Sequence, residues 1–341
     1  MQKETWGAQR EGEIQMTAIL VDSLTKRFGD FTAVDAISFE IPQGEIFGLL
    51  GPNGAGKTTS ISMLSTLLEP TSGRAFLNGI DIEKDQDGVR KAIGIVFQDQ
   101  SLDEELTAWE NMDFHGRLYR IPKAIREKRI DEMLRLVELE DRKDSLIKTY
   151  SGGMRRRLEI ARGLLHEPSV LFLDEPTLGL DPQTRNHLWE YIQNLNQTKG
   201  ITIILTTHYM DEADRLCDRV GIIDHGRIVA MDTPANLKAR VGEDVVYITS
   251  PDAGRIAGEI KAPWIVGAEQ YDGQAIIRLH SAEDHLLELI GLIGGDGYTI
   301  ASISIRKPTL EDVFLHYTGR EMRHEEAGAA DRMRMKMSRR N

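Results

Sequence analysis

Residues 51–58 read Gly51-Pro52-Asn53-Gly54-Ala55-Gly56-Lys57-Thr58. They follow the apolar run Ile46–Leu50 and precede residues 60–68, whose apolar positions have the spacing of a helix. A strand, a glycine-rich loop and a helix in this order are typical of a nucleotide-binding P-loop. Glycines are required because backbone N–H groups must wrap around phosphate oxygens, and side chains would block that approach. The sequence therefore predicts an α/β fold built around a phosphate-binding loop.

The last two residues of this P-loop, Lys57 and Thr58, suit a nucleoside triphosphate with Mg²⁺. Lys57 would supply a positive charge to the terminal phosphates, and Thr58 would supply a hydroxyl ligand to the metal. The helix that begins here adds the positive end of its dipole. A chance glycine turn is the alternative interpretation, and the flanking strand and helix argue against it.

Length, charge and cysteine content limit the classes of protein to consider. A chain of 341 residues with 40% hydrophobic content can bury a full core, and this length predicts two domains. The net charge of −12 argues against nucleic acid as the main partner. The single cysteine, Cys217, excludes an intramolecular disulfide and suits a reducing compartment. We expect this cysteine to be buried and inert.

The chain lacks the apolar runs of a membrane protein or a secretory signal. No window approaches the roughly 18 consecutive apolar residues that a membrane helix needs. The strongest run, residues 201–205, has only the length of a strand. Residues 1–16 are polar and charged, so we expect a disordered extension there rather than a signal peptide.

Strand-like apolar runs alternate with helical periodicity over most of the chain. The pairs of strand and helix are 46–50 with 56–68, 93–97 with 107–119 and 123–139, 170–173 with 182–196, and 201–207 with 209–217. This alternation predicts a mostly parallel sheet covered by helices. Shorter strand-like pieces at 17–22, 34–41 and 73–80 predict an antiparallel sheet joined to it.

The pattern changes after a break at 232–234. The predicted elements that follow are strand 244–250, helix 252–260, strands 263–270 and 274–280, helix 282–293, strand 298–305 and a closing helix 308–315. The βαββαβ order predicts a small α+β domain with a ferredoxin-like fold. We therefore predict domains at 17–240 and 241–320, followed by a flexible basic tail at 321–341. Contact of this tail with anionic lipid headgroups is the alternative to a solvated, mobile tail.

Further motifs narrow the function, since a P-loop alone is compatible with a GTPase, a kinase or a motor. The apolar run 170–173 ends in Asp174 and Glu175, as expected where a core strand delivers Mg²⁺ coordination and a base to the phosphates. Tyr150-Ser-Gly-Gly-Met-Arg155 stands at the start of a predicted helix. Leu178–Asp181 and Thr206–His208 follow downstream.

Together these motifs resemble those of the ATP-binding subunits of ATP-binding-cassette (ABC) transporters over residues 17–240. The set consists of the P-loop, Gln98, the signature segment 151–155, the strand 170–175, Asp181 and His208. Residues 101–107, 149–157 and 308–314 resemble the daunorubicin/doxorubicin-resistance type of exporter ATPase, whose C-terminal extension would match 241–320. The resemblance implies an ABC ATPase core, in which a mostly parallel sheet adjoins an antiparallel subdomain and a helical subdomain.

The resemblance also implies a role for each motif residue. Phe28 would stack on adenine, and a core aromatic at a strand end is the alternative. Gln98 would bind Mg²⁺ or the attacking water, and Asp174 would act on the metal through outer-shell water. Glu175 would be the general base, and His208 would contact the γ-phosphate and hold Glu175 and the water. The nucleotide-binding set is Phe28, Gly51, Pro52, Asn53, Gly54, Ala55, Gly56, Lys57, Thr58, Thr59, Ser151, Gly152, Gly153 and Asp181, and the metal set is Thr58, Gln98 and Asp174.

The signature segment predicts a second phosphate-binding surface. Ser151 is suited to be a helix N-cap, and Gly152 and Gly153 expose N–H groups at the helix N-terminus. In the family this surface meets the γ-phosphate on the other subunit's P-loop. The resemblance therefore implies a homodimer that closes over two ATP molecules. Tyr150 and Met154 depart from the commonest signature, and both belong to the subfamily pattern.

A transporter ATPase without membrane helices would dock on a separate integral membrane permease, at the cytoplasmic face of the cell membrane. A short permease helix would enter a groove near Gln98 and residues 99–119. Four apolar residues of that region would either line the groove or face the core of an amphipathic helix. They are Trp109, Met112, Phe114 and Leu118.

The leading hypothesis is thus an ATPase that energises export of a small hydrophobic molecule, lipid or glycan. A soluble ABC ATPase acting in translation or DNA repair is the alternative, and the single P-loop and the absence of a sustained heptad pattern argue against it. A nucleotide sensor without turnover is a third class, against which Glu175 and His208 argue. A GTPase is disfavoured because the sequence has no Asn-Lys-x-Asp motif.

Overall fold

The computed structural model describes residues 17–271, 273–295 and 297–319. Contacts divide the chain after Met231 into two units. The predicted extension 1–16 and the predicted tail 321–341 lie outside the described residues. In the part of the chain that the structure describes, no helix is both long and apolar enough to span a bilayer.

The first unit contains ten strands, seven α-helices and two short 3-10 helices, at Glu140–Arg142 and Ile147–Thr149, among its described residues. The strands are β1 Thr17–Phe28, β2 Phe31–Pro42, β3 Ile46–Leu50, β4 Ser72–Leu77, β5 Ile80–Asp81, β6 Ile93–Val96, β7 Val170–Asp174, β8 Thr202–Thr207, β9 Arg219–Asp224 and β10 Arg227–Asp232. The helices are α1 Lys57–Leu64, α2 Gln86–Ala92, α3 Ala108–Leu118, α4 Lys123–Leu136, α5 Gly152–Leu164, α6 Pro182–Lys199 and α7 Met210–Leu216.

A six-stranded sheet in the order β10-β9-β3-β8-β7-β6 forms the centre of this unit. The pairs β9 with β3, β3 with β8, β8 with β7 and β7 with β6 are parallel. Every residue of β3, β7 and β8 is buried. Strands covered on both faces need continuous apolar sequence, which explains why these runs do not alternate with polar residues.

A second sheet, in the order β2-β1-β4-β5, is antiparallel and packs against the first. The core between them includes Ile19 and Phe39 from the antiparallel sheet and Phe172 and Ile204 from the parallel one. Phe39 also stacks on Phe47 with a ring-centroid distance of 5.4 Å. The antiparallel sheet therefore covers one face of the strands that position the P-loop.

Helices α3, α4 and one face of α5 form a separate helical layer with its own core. Met112, Ile130, Leu134 and Leu158 are fully buried there. Helix α3 begins with a capping box, in which Thr107 and Glu110 satisfy each other's backbone N–H groups. The helical subdomain that the resemblance implied is present.

The second unit consists of α8 Pro234–Val241, β11 Asp244–Thr249, α9 Ala253–Glu259, β12 Ile265–Tyr271, β13 Gln274–Leu279, α10 Ala282–Gly295, β14 Ser302–Arg306 and α11 Leu310–Thr318. Its four strands are antiparallel in the order β12-β13-β11-β14. This is the sheet order of a ferredoxin-like βαββαβ fold, so the predicted fold class is confirmed. Helix α8 contacts α11 within this unit, whereas the predicted domain boundary at 240–241 stays a prediction.

Some elements differ from the sequence-based expectation. Helix α1 ends at Leu64 rather than at residue 68, because Thr66 adopts a positive φ of 63° that interrupts helical geometry. Strands β9 and β10 were not predicted. They are joined by His225 and Gly226, both with positive φ, which is the geometry of a two-residue hairpin turn.

The close contact of α5 with β6 depends on a glycine. A Cβ atom at Gly94 would lie 2.3 Å from the backbone oxygen of Gly163, which cannot move without shifting α5. We expect Gly94→Ala to lower the free energy of unfolding by about 1 to 3 kcal/mol, as overpacking does in a close-packed core. Urea unfolding followed by tryptophan fluorescence measures this loss.

Gly163→Ala is the matched control on the same contact. A Cβ atom at Gly163 would meet its nearest neighbour, Leu171 Cδ1, at an ordinary 3.6 Å. Alanine is preferred over glycine within a helix by about 1 kcal/mol, so this variant should be as stable as the parent or slightly more stable. If both substitutions lower the free energy of unfolding equally, the close contact between α5 and β6 does not depend on Gly94 in particular.

Candidate nucleotide-binding site

The predicted site residues follow three neighbouring parallel strands. The P-loop follows β3, Glu175 follows β7 and His208 follows β8, which lies between the other two. Leu50 pairs with Thr207, and Asp174 pairs with Thr206. The carboxyl ends of these strands therefore meet at one edge of the sheet, which is where ligands bind in open α/β sheets.

The P-loop needs glycine at several positions. Gly54 and Gly56 have φ angles of 81° and 108°, which other residues rarely adopt. A Cβ atom at Gly51 would lie 2.2 Å from the backbone oxygen of Ile223, and one at Gly56 would lie 2.6 Å from that of Ala33. Gly56 is also the N-cap of α1, so the loop leads directly into a helix N-terminus. This is the geometry of an anion-binding loop.

Lys57 directs its ammonium group into the loop. Its Nζ donates to the backbone oxygen of Gly51 at 2.6 Å and to that of Pro52 at 3.1 Å. It also lies 3.3 Å from Oε1 of Glu175, and the lysine is only 4% exposed. Burial lowers the pKa of Lys57, and the ionic contact with Glu175 opposes that shift. The P-loop lysine and the predicted base are thus direct neighbours.

Asp174 binds two hydroxyl groups at the end of β7. Its Oδ1 accepts from Thr206 at 2.5 Å and from Thr58 at 3.2 Å. Burial raises the pKa of the Asp174 carboxyl, and these two hydrogen bonds oppose the shift. Thr58 and Asp174, both predicted metal-site residues, are therefore in contact.

Glu175 lies in a strained turn beyond β7. Its φ is 46°, and its N–H donates to the backbone oxygen of Thr206 at 3.2 Å and to that residue's hydroxyl at 3.0 Å. Oε1 of Glu175 lies 3.4 Å from Nδ1 of His208. Burial works against ionisation, but the contacts with His208 and Lys57 outweigh it and hold the pKa of Glu175 below its usual value. A carboxylate in this state can accept a proton from water.

Three other predicted residues lie away from this cluster of contacts. Gln98 is exposed just beyond β6, the strand next to β7. Phe28 is 50% exposed at the end of β1, with Nζ of Lys26 5.3 Å from its ring centroid, so the alternative of a core aromatic is wrong. Asp181 is the N-cap of α6 and accepts from the Thr184 N–H at 3.0 Å. Hydrogen bonds from Thr184 lower the pKa of Asp181.

The signature segment forms the predicted helix start. Ser151 is the N-cap of α5, and its side chain accepts from the N–H of Met154 at 3.3 Å. Ser151 and Gly152 are exposed, whereas Gly153 is buried. Among the described residues, no hydrogen bond joins this segment to the P-loop of the same chain. Thr59, the remaining predicted residue, is half-buried in the first turn of α1.

The predicted metal ligands are all oxygen donors, which fit a magnesium ion better than a transition metal. The predicted ligands are the Thr58 hydroxyl, the Asp174 carboxylate and the Gln98 amide oxygen. Mg²⁺ prefers such oxygen donors and commonly binds through one or two carboxylates together with phosphates and water. Over residues 17–319, as far as they are described, no cluster of three or more His, Cys, Asp or Glu side chains could hold a metal ion.

The four apolar residues of the predicted groove fall into two groups. Met112 is fully buried in the core of the helical layer, and Trp109 packs against that core. Phe114 and Leu118 are 59% and 64% exposed on α3. Of the two interpretations, the core interpretation is correct for Met112, whereas Phe114 and Leu118 are available to a partner and Trp109 is half-buried.

Sequence reasoning missed a buried ion pair within α5. Arg156 and Glu159 are 7% and 1% exposed, and an Arg156 Nη1 to Glu159 Oε2 distance of 3.1 Å joins them. Arg156 stands in the helical register of Gly153, Ile160 and Gly163, which form the buried face. A charge within an otherwise buried helical stripe was the signal that would have identified it. Thr206, which binds both Asp174 and Glu175, had no comparable signal.

Comparisons with known proteins agree with this geometry. Residues 34–178 match the family described as ABC transporter, and residues 233–318 match the family described as ATP-binding protein DrrA1-3-like, C-terminal domain. The daunorubicin resistance ATP-binding protein DrrA3 of Streptomyces coeruleorubidus is 39% identical over 314 residues, which are 91% of this chain and 99% of the relative. The linearmycin resistance ATP-binding protein LnrL of Bacillus subtilis is 39% identical over 313 residues, 89% of this chain and 98% of the relative.

Solved structures agree as well. The structure of cbiO1 from Clostridium perfringens, part of the ABC transporter complex cbiONQ, has a TM-score of 0.62 and 32% identity, and the match covers 65% of this chain and 91% of that one. The dimeric post-hydrolysis structure of the ATP-binding cassette MJ0796 with ADP and Pi has a TM-score of 0.57 and 29% identity, covering 63% of this chain and 98% of that one. As the motifs predict, this chain belongs to the ABC transporter ATP-binding proteins of the daunorubicin/doxorubicin-resistance type and is an ATPase.

Proposed function

We propose that this chain hydrolyses ATP with Mg²⁺ to energise export of a small hydrophobic molecule, lipid or glycan through a separate membrane permease. The observation that supports it is the contact chain from Lys57 through Glu175 to His208 at the mouth of the P-loop. Similar proteins have names that refer to daunorubicin or linearmycin resistance and, for one of Ralstonia nicotianae, to Nod factor export. Resistance and export favour a transporter over the alternative of a soluble ATPase in translation or DNA repair.

In this proposal the P-loop and Lys57 bind the phosphates, while Glu175 orients and deprotonates the attacking water. His208, which like Lys57 lies against Oε1 of Glu175, holds the carboxylate and contacts the γ-phosphate. Because Glu175 is ionised and largely shielded from bulk water, its charge is available at the reacting centre rather than solvated. Thr58, Asp174 and Gln98 would hold Mg²⁺, which neutralises charge on the phosphates when bound. Phe28 and Asp181 complete the proposed nucleotide contacts.

We further propose that the active form is a homodimer in which Ser151, Gly152 and Gly153 of one protomer cover the ATP bound to its partner. The support is that the α5 N-terminus is exposed and offers backbone N–H groups, as an anion site requires. The related MJ0796 cassette has been solved as a dimer with ADP and Pi. ATP would thus join two protomers, and hydrolysis would release them.

The permease would bind near Gln98, at the cytoplasmic face of the membrane, so that the chain is a peripheral membrane protein. Exposed apolar side chains support a docking surface there. Phe97 is 37% exposed next to Gln98, and α3 adds Phe114 and Leu118. Large exposed apolar side chains are the kind that protein contacts use.

Glu175→Gln tests the proposed base. We expect ATP binding to persist and turnover to fall by roughly 10²- to 10⁴-fold, the usual contribution of a general base. A dimer should accumulate with ATP, because the nucleotide that joins the protomers is no longer consumed. Phosphate release and light scattering after size exclusion measure the two effects.

Glu127→Gln is the control, since Glu127 lies on α4 and pairs only loosely with Lys123 at 3.8 Å. It should hydrolyse ATP at the parental rate. Glu175 is not the base if its glutamine variant also hydrolyses ATP at that rate, and ATP does not join the protomers if the variant stays monomeric with saturating ATP.

Mixing two inactive variants tests the shared site. Lys57→Ala removes the P-loop cation and Ser151→Arg blocks the signature surface, so each homodimer should be inactive. In a mixed dimer one site has both parts intact. Hydrolysis should therefore return to as much as about a quarter of the wild-type rate, since half of randomly paired dimers are mixed and each has one intact site.

A chain with both substitutions, mixed with the Lys57→Ala chain, is the control that cannot assemble an intact site. The two mixtures are compared by measuring phosphate release at equal protein concentration. If the first mixture recovers no more activity than the control, the site is not shared between protomers.

A further inference from the structure

Arg156 makes an unusual set of contacts for a side chain inside a helix. Its Nε donates to the backbone oxygen of Pro176 at 2.9 Å, its Nη2 to that of Asp174 at 2.8 Å, and its Nη1 to that of Phe97 at 2.5 Å. The arginine is 7% exposed. One guanidinium therefore joins α5 to the ends of two different strands of the central sheet.

Two of these acceptors lie on either side of Glu175. Asp174 precedes it in the chain and Pro176 follows it. Glu175 adopts a positive φ, which a residue with a side chain holds only when its surroundings enforce it. These hydrogen bonds fix the peptide plane that enters Glu175, through the Asp174 carbonyl, and the plane that follows Pro176, through the Pro176 carbonyl. The backbone is therefore held on both sides of Glu175, which restrains the direction in which the Glu175 side chain leaves it.

Arg156 and Glu159 also bind the two ends of the segment that contains Gln98. The third acceptor of Arg156, the backbone oxygen of Phe97, is at the first end. Phe97 directly precedes Gln98. At the other end of the segment, Glu159 accepts from the Ser101 N–H at 2.8 Å, and Arg162 donates to the Ser101 backbone oxygen at 2.8 Å. The Arg156–Glu159 pair thus fixes both ends of residues 98–100 to the helix whose first residues are the signature segment.

We propose that Arg156, oriented by Glu159, is a positioning residue. It holds the turn at Glu175 and the segment 98–100 in fixed positions relative to helix α5. The proposal rests on the base role proposed above for Glu175. A displacement of α5, by a partner protomer at its N-terminus or through the Gln98 segment, would then move the base relative to the P-loop. Arg156 itself does not reach the nucleotide in this scheme.

The chemistry requires arginine in particular. Its planar guanidinium has five N–H donors in a fixed fork and can serve three carbonyl oxygens and a carboxylate at once. Lysine would keep the charge next to Glu159, but its compact ammonium group cannot reach acceptors arranged around a plane. A pair that served only to fill the helix interface would not need acceptors on both sides of Glu175.

Arg156→Gln is the main test, with ATP affinity and turnover measured separately. We expect the dissociation constant for a fluorescent ATP analogue to stay within about two-fold, because Lys57 and the P-loop are not touched. The rate constant for hydrolysis should fall by roughly 10- to 100-fold, as expected from a small misplacement of a catalytic group. If the glutamine variant fails to fold, Arg156→Lys, which retains the buried charge, is the second test. It should likewise keep the affinity for the ATP analogue and lose hydrolysis rate.

Arg126→Gln is the matched control. Arg126 is also 7% exposed, pairs with Asp113 at 2.5 Å and donates to the backbone oxygen of Ile121 at 2.7 Å, within the helical layer. It should lower the thermal unfolding midpoint to a similar degree while the hydrolysis rate constant stays within about two-fold of the parent. If both variants reduce the rate constant equally, or if Arg156→Gln leaves it unchanged, the positioning role is refuted.

The double variant Glu175→Gln/Arg156→Gln separates this inference from the proposed function. If Arg156 acts through Glu175, the double variant should retain the residual single-turnover rate of Glu175→Gln alone, because the effects of residues that act as a unit do not add. A further loss similar to that of Arg156→Gln alone would refute action through Glu175. A Glu175→Gln variant with the parental rate would instead refute the proposed base, whatever Arg156 does.

Discussion

Strand β8 determines where the P-loop and the acidic turn begin, because both neighbouring strands pair with its last residues. Its last two residues pair with Leu50 on one side and Asp174 on the other. The pairing continues past both strand ends, since the Gly51 N–H donates to Thr207 and the Glu175 N–H donates to Thr206, each at 3.2 Å. The P-loop and the acidic turn therefore start from fixed points on one strand. A slip of one residue in either pairing would separate Lys57 from Glu175.

That arrangement puts three charged residues where water hardly reaches them. Lys57, Asp174 and Glu175 are 4%, 2% and 8% exposed. Burying charges is costly unless they are paired or hydrogen-bonded; here Lys57 and Glu175 pair with each other, and Asp174 accepts hydrogen bonds from Thr206 and Thr58. The two neighbouring carboxyl groups shift in opposite directions, with the pKa of Asp174 raised and that of Glu175 lowered. Environments that separate the pKa values of adjacent acids commonly give them different chemical roles, which fits the proposed division between a metal-side group, Asp174, and a base, Glu175.

The sequence predicted the fold and most of the residues that meet at the P-loop because those features depend on local order. When a buried strand is followed by a glycine loop or by two acidic residues, those following residues lie at the edge of the sheet, whatever packs around the strand. Strands β9 and β10 escaped prediction because their hairpin depends on positive φ at His225, a residue with weak turn preference. The burial of Arg156 could have been predicted from its place in an apolar helical stripe, but its acceptors could not, because they are backbone oxygens at residues 97, 174 and 176 and no spacing in the chain reveals such contacts.

Helix α5 connects what the sequence presented as separate motifs. Its first turn exposes Ser151 and Gly152, its second turn binds the backbone around Glu175, and its last turn approaches β6 at Gly94 so closely that no side chain fits. Because an α-helix of 13 residues bends little, a force at one end reaches the other contacts with little loss. In the proposed dimer, the surface that would close on a partner protomer and the contacts to the turn that carries the proposed base thus lie on one rigid element. Helix α5 would therefore couple dimer closure to hydrolysis, because among the described residues it reaches all three places.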